Sequence, residues 1–143
     1  MLYVLSGNDE YTILNELSQI KIDLNVGNDS LANNLVKISS ENITLELVRQ
    51  HTHTLPFMGG NLLVLVDGIF SAIKNSELDA WSLLVDELLA LPPTNHVVFY
   101  EIILPGKSFA ANRLYKKIKN LAESEKDKES TISFKTHNIP KPV

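Results

Sequence analysis

The sequence contains no cysteine, which excludes a disulfide framework and any thiolate metal site and fits a reducing compartment such as the cytoplasm. No apolar run approaches the ~18 residues that a membrane-spanning helix needs. The polar break at residues 7–10 comes too early for the hydrophobic core of a signal peptide. Six glycines are scattered over the chain, and none of them forms a phosphate-cradling cluster. A basic surplus is also missing: the net charge of −4 argues against a protein that binds nucleic acid with its whole surface.

What is present is ordinary globular usage, 44% apolar and 21% charged over 143 residues, enough for one domain with its own core. The charge is unevenly placed. Thirteen acids face four bases through residue 105, and four acids face nine bases beyond it. A basic end on an acidic body is either an interaction feature or one solvated helix face.

Leu2-Tyr3-Val4-Leu5 reads as a buried strand closed by Ser6-Gly7-Asn8-Asp9. Ile13, Leu14, Leu17 and Ile20 follow at helical spacing. Residues 25–34 are rich in turn formers, and Leu35-Val36-Lys37-Ile38 is a second strand. Asn42 or Thr44 caps a helix running to about His53, with Leu45, Val48 and Leu55 in phase. Leu62-Leu63-Val64-Leu65-Val66 is apolar throughout, as a parallel strand covered on both faces should be. Ser76 and Asp79 have the spacing of a capping box for a helix carrying Trp81, Leu84, Val85, Leu88 and Leu89, which Pro92-Pro93 stops. Residues 96–104 form a fourth strand, ended by Pro105-Gly106. A basic helix with Phe109, Leu114, Ile118 and Leu121 inward precedes a fifth strand at residues 131–135. Strands alternating with helices predict an α/β three-layer sandwich with a mainly parallel five-stranded sheet, spanning residues 1–138, with 139–143 starting a linker.

Ligands of such sheets sit at the carboxyl ends of strands. After the first strand, Gly7-Asn8-Asp9-Glu10 offers one glycine and two acids, which would repel a phosphate. Pro105-Gly106-Lys107-Ser108 matches the end of a Walker A motif, but Glu101 stands where its first glycine belongs. The plainer reading is a turn whose Ser108 caps the next helix. Asp67 is followed by Gly68 and so lacks the catalytic glutamate of a Walker B strand. Asp9, Glu10, Asp67 and Lys107 leave one alternative open, the acidic pocket of a phospho-acceptor receiver domain. His51 and His53 are two apart on a helix and diverge, and His96 and His137 are isolated, so no metal site is expected. No nucleophile elbow is present and no cofactor is expected.

The remaining feature is Leu55-Pro56-Phe57-Met58-Gly59-Gly60, bulky apolar residues in a connection where polar ones are the rule. Pro56 ends the helix and holds Leu55 extended. The segment is either a loop folded over the core or an exposed apolar wedge for a partner protein.

The run from Leu2 to Glu10 (LYVLSGNDE), Thr54-Leu55-Pro56-Phe57-Met58-Gly59 leading into the strand at 62–66, Leu91-Pro92-Pro93-Thr94-Asn95, and Arg113-Leu114-Tyr115-Lys116-Lys117 together resemble the amino-terminal domain of the bacterial DNA polymerase III delta subunit. The resemblance spreads over the whole chain but covers only the first domain of that family, whose lid and collar follow. It implies an AAA+-like P-loop NTPase fold without a functional P-loop, and a non-catalytic subunit of a DNA-directed DNA polymerase (nucleotidyltransferase) holoenzyme. It further implies binding of the beta sliding clamp, opening of that ring in DNA replication, and association of the whole subunit with tau/gamma and delta prime. Clamp contact in the family uses a hydrophobic pair, often Leu-Phe, before the third strand. Phe57 matches the aromatic, Pro56 occupies the leucine position, and Leu55 or Met58 fills the second pocket. Arg113, Lys116, Lys117 and Lys119 on the basic helix are candidates for weak DNA contact.

Overall fold

A computed structural model describes residues 1–27, 34–56, 59–124 and 131–140. In chain order the elements are β1 (Leu2–Gly7), α1 (Glu10–Leu24), β2 (Leu35–Ile38), α2 (Leu45–Thr52), β3 (Leu62–Asp67), α3 (Ile69–Ala72), α4 (Leu78–Leu89), β4 (Asn95–Ile102), α5 (Arg113–Ser124) and β5 (Ile132–Thr136). The strands form one sheet in the order β2-β3-β4-β1-β5, and every pairing is parallel. The α/β architecture read from the sequence is the one observed.

The apolar run of β3 has its expected cause, because alternate residues feed two cores. Leu62, Val64 and Val66 join Leu2, Val4, Val97 and Phe99 under α2, α4 and α5, where Val48, Trp81, Leu84, Val85, Leu88, Leu114 and Ile118 pack. Leu63 and Leu65 join Leu5, Val98 and Tyr100 on the opposite face under Ile13 and Leu17 of α1. Within α1, Leu14 departs from the expected stripe and is 44% exposed, because one helix covers that face and the buried stripe narrows to Ile13 and Leu17.

Several helix ends differ from the sequence reading. Thr44 caps α2 by accepting from the Leu47 amide, whereas Asn42 belongs to a 3₁₀ turn. Leu55 lies past the end of α2 rather than on its buried stripe. Ser76 and Asp79 form no capping box: Ser76 sits in a 3₁₀ turn, and the cap residue Glu77 instead accepts from Trp81 Nε1 at 3.3 Å. Ser108 accepts from the nearby Ala110 amide, and α5 begins five residues later at Arg113, where Asn112 Oδ1 accepts from the Tyr115 amide. Asn112 is held there by donating to Phe70 O, a contact 42 residues distant in sequence. No helix among the described residues is long and apolar enough to cross a membrane.

Candidate functional site

The carboxyl edge of the sheet is where an α/β ligand would sit, and at the end of β1 the chain itself lies across it. The His137 amide donates to Ser6 O at 2.8 Å, and His137 O accepts from the Asp9 amide at 3.1 Å. Asn8 and Asn138 are cross-tied: the Asn8 amide donates to Asn138 Oδ1, and the Ile139 amide donates to Asn8 Oδ1. Gly7 lies at φ +134, and a Cβ there would fall 1.9 Å from His137 O. The β1–α1 connection is therefore a two-residue link clamped by residues 137–139.

The receiver reading fails on topology. Receiver sheets place the strands in the order 2-1-3-4-5, with β1 beside β3. Here β4 lies between them, which separates β1 from β3 by two strand spacings, about 10 Å. Asp9 is also committed elsewhere. Its carboxylate accepts from Thr12 Oγ1 at 2.8 Å and the Thr12 amide at 3.1 Å, capping α1. Those two bonds, with a smaller attraction from His137, hold its pKa below the usual carboxylate value. Glu10 is exposed, and Asp67 stands beside Tyr100, whose pKa is raised to about 12 by burial first and by Asp67 second. Lys107 belongs to a tight turn after β4, its amide donating to Leu104 O. Among the described residues no three acids or histidines gather as a metal site.

At the opposite, amino edge of the sheet lies the apolar segment. The buried stripe of α2 ends at Val48 and Thr52, both fully buried, and the chain then turns outward. Leu55 is 72% exposed. Pro56 is half-buried, and Phe57 and Met58 fall outside the described residues. The stem is well tied. Thr52 Oγ1 donates to Val48 O at 2.7 Å, Thr54 Oγ1 donates to Gln50 O at 2.8 Å, and Asn95 Nδ2 donates to both Thr52 O and Thr54 O at 2.9 Å. On the far side Asn34 Nδ2 donates to Gly59 O at 3.3 Å. Arg49 bridges Glu46 and Glu87, at 3.1 and 3.0 Å, and so ties α2 to α4. The sheet edge thus presents Leu55 on a braced stem.

The basic helix splits in two. Arg113, Lys116 and Lys119 are exposed on α5, whereas Lys117 turns toward α4 and donates to Ser82 O at 3.1 Å, with Asp86 at 3.4 Å. Two polar residues carry structure that the sequence reading did not assign. Glu101, buried in β4, accepts from the Phe70 and Ser71 amides and the Ser71 hydroxyl, capping the short α3. Its signal was an acid in an otherwise apolar strand. Asn95 read as one more polar residue of a proline turn, and nothing local marks its long-range role.

No curated protein sequence matches this chain. Its fold is similar to that of the Bacillus subtilis DNA clamp loader delta protein, at 20% identity and a TM-score of 0.59, over 94% of this chain and 38% of that one. It is also similar to a DNA polymerase III gamma subunit-related protein from Thermotoga maritima, at 12% identity and a TM-score of 0.58, over 99% of this chain and 42% of that one. At such identities the likeness is one of fold, and the chain spans about two-fifths of the length of either protein. The family model described as DNA polymerase III, delta subunit, matches residues 3–129. That match takes in all but the first residue of β1 and every element on through α5, and the chain accordingly belongs to the DNA polymerase III delta subunit family.

Proposed function

We propose that this domain is the non-catalytic, clamp-binding part of a clamp-loader delta subunit, and that residues 55–58 contact the beta sliding clamp. The observation that carries the reading is Leu55, a large apolar side chain 72% exposed on a stem whose backbone is hydrogen-bonded into the sheet. An exposed leucine costs the domain little when free and returns apolar burial when it docks. Phe57 supplies the aromatic anchor, with Leu55 or Met58 in the adjoining pocket.

The clamped β1–α1 link supports the other half of the reading. With residues 137–139 lying on that link, the domain binds no nucleotide and hydrolyses none. ATP coupling comes from sibling subunits of the loader; the whole subunit associates with tau/gamma and delta prime through parts beyond this domain. The domain stabilises an opened clamp by binding energy alone.

Isothermal titration of the protein against the sliding clamp of its source organism tests the proposal. Binding that Phe57→Ala abolishes in a folded protein supports it. Full-strength binding by that variant removes the site, and no binding by the unaltered protein removes the function.

A further inference from the structure

Helix α2 ends at Thr52, and the proline that follows cannot supply the next helical donor. In a continuing helix, Thr52 O would accept from the amide of residue 56 and Thr54 O from that of residue 58. Residue 56 is proline and has no amide hydrogen. The donors come from elsewhere in the fold: Asn95 Nδ2 donates to Thr52 O and to Thr54 O, both at 2.9 Å. Both partners are carbonyl oxygens, which only accept, so the amide nitrogen must face them and spends both of its hydrogens. The amide oxygen is held from behind by Thr94 Oγ1 at 3.0 Å.

Asn95 is well placed to act as a fixed point. It is 1% exposed and opens β4, where it pairs with Leu62 at the start of β3. Its own amide donates to Pro92 O at 2.9 Å, and its carbonyl accepts from the Met1 ammonium at 3.0 Å. Strands β3 and β4 lie at the centre of the sheet, the least deformable part of the domain. A side chain rooted there and bonded to Thr54 O grips the backbone one residue before Leu55.

We propose that Asn95 is a positioning residue for partner binding: it supplies Thr52 O with the donor that Pro56 lacks, ties down Thr54 O as well, and so presents Leu55 in its docked direction before the partner arrives. The inference rests on the clamp-binding reading of Leu55. Its physical content is preorganisation. A backbone already fixed by two hydrogen bonds to the sheet loses less conformational freedom on association than one that must be ordered by the partner. Pro56 adds to this by restricting Leu55 to extended conformations. The proline and the asparagine therefore work as a pair, one ending the helix and the other holding the end.

The test compares Asn95→Ala with Ile118→Val, a variant that loses a methyl group in the core on α5, in the whole protein. Asn95→Ser, which keeps a small polar group, is the second variant should the alanine not fold. Two readings are taken on each: hydrogen exchange over residues 50–56, and affinity for the sliding clamp. Asn95→Ala should speed exchange in that segment and weaken clamp binding about ten-fold through lost preorganisation. Ile118→Val should lower the melting temperature and leave both readings unchanged. Unaltered exchange in a folded Asn95 variant, or unaltered affinity where the parent protein binds, overturns the proposal. A parent protein that does not bind the clamp refutes the function proposed above, and the exchange experiment then decides the role of Asn95 alone.

Discussion

Truncating Leu55 to alanine separates the exposed wedge from a core loop, and its effect can be worked from exposure. Full burial of a leucine side chain is worth about 1.5–3 kcal/mol. Leu55 is 72% exposed, so little more than a quarter of that value is realised in the free domain, roughly 0.4–0.8 kcal/mol. At about 2–4 °C per kcal/mol for a domain of this size, the melting temperature should fall by only about 1–3 °C. The remaining surface is available to a partner, worth about 1–2 kcal/mol on docking, or roughly five- to thirty-fold in Kd. Leu84→Ala is the contrasting variant. Leu84 is fully buried, and its truncation should cost about 2–5 kcal/mol of folding stability by leaving a cavity. Differential scanning fluorimetry and titration against the clamp, run on both variants, give the comparison. A Leu55→Ala melt that falls as far as that of Leu84→Ala would refute the exposure argument. An unchanged Kd would refute the docking argument.

Phe57→Ala should lose more, about 2–4 kcal/mol of binding, or thirty- to several-hundred-fold, because a buried aromatic anchor outweighs a leucine; titration with the folded variant checks it. Millimolar Mg-ATP should leave the melting temperature unmoved, since a ligand without affinity for the fold stabilises nothing; a rise of several degrees would show that residues 137–139 yield to a nucleotide. DNA should bind weakly at physiological salt, through Arg113, Lys116 and Lys119 rather than Lys117, so that Lys116→Ala reduces the salt dependence measured by fluorescence anisotropy and Lys117→Ala does not. His96, its pKa lowered to about 4 by burial first and by the Met1 ammonium second, is favoured neutral in the fold. The unfolded chain takes up its proton near 6.5, so this contribution is complete above that pH and is lost as pH falls toward 4. Urea melts of His96→Phe should show a shallower decline than the parent over that window; parallel declines would show that another group is responsible.

Much of the amino edge was legible in the sequence and its braces were not. The chain Leu55-Pro56-Phe57-Met58 stands out because apolar residues in a connection break a compositional rule, and Pro56 stops a helix wherever it stands. Whether Leu55 folds back or projects was open, because a side chain past a helix end belongs to no periodic stripe. Asn95 and Glu101 illustrate the harder case. Each satisfies backbone groups 30 or more residues away, and neither has a local pattern around it that names its partner. Lys117 is similar: its spacing puts it among the bases of α5, but only the packing of α4 beside α5 turns it inward to Ser82 O.

The sequence by itself determined the five strands, the four longer helices and their alternation, though not the short α3, because these follow from short-period burial: five runs of apolar or half-apolar residues separated by helical stripes and turn formers. It also sets the expectation that no phosphate is cradled after β1, where a loop of one glycine and two acids offers few amides and the wrong charge. The tertiary structure alone decided the strand order, which places β4 between β1 and β3 and dissolves the acidic pocket of Asp9, Glu10 and Asp67. It alone decided several caps as well: Thr44 on α2 was a local candidate, but Asn112 on α5, Glu101 on α3 and Asn95 at the end of α2 were not. The reason is common to all of them. Periodicity constrains which face of an element is buried, whereas order, caps and projection depend on which elements meet, and that is settled by contacts between residues far apart in the chain.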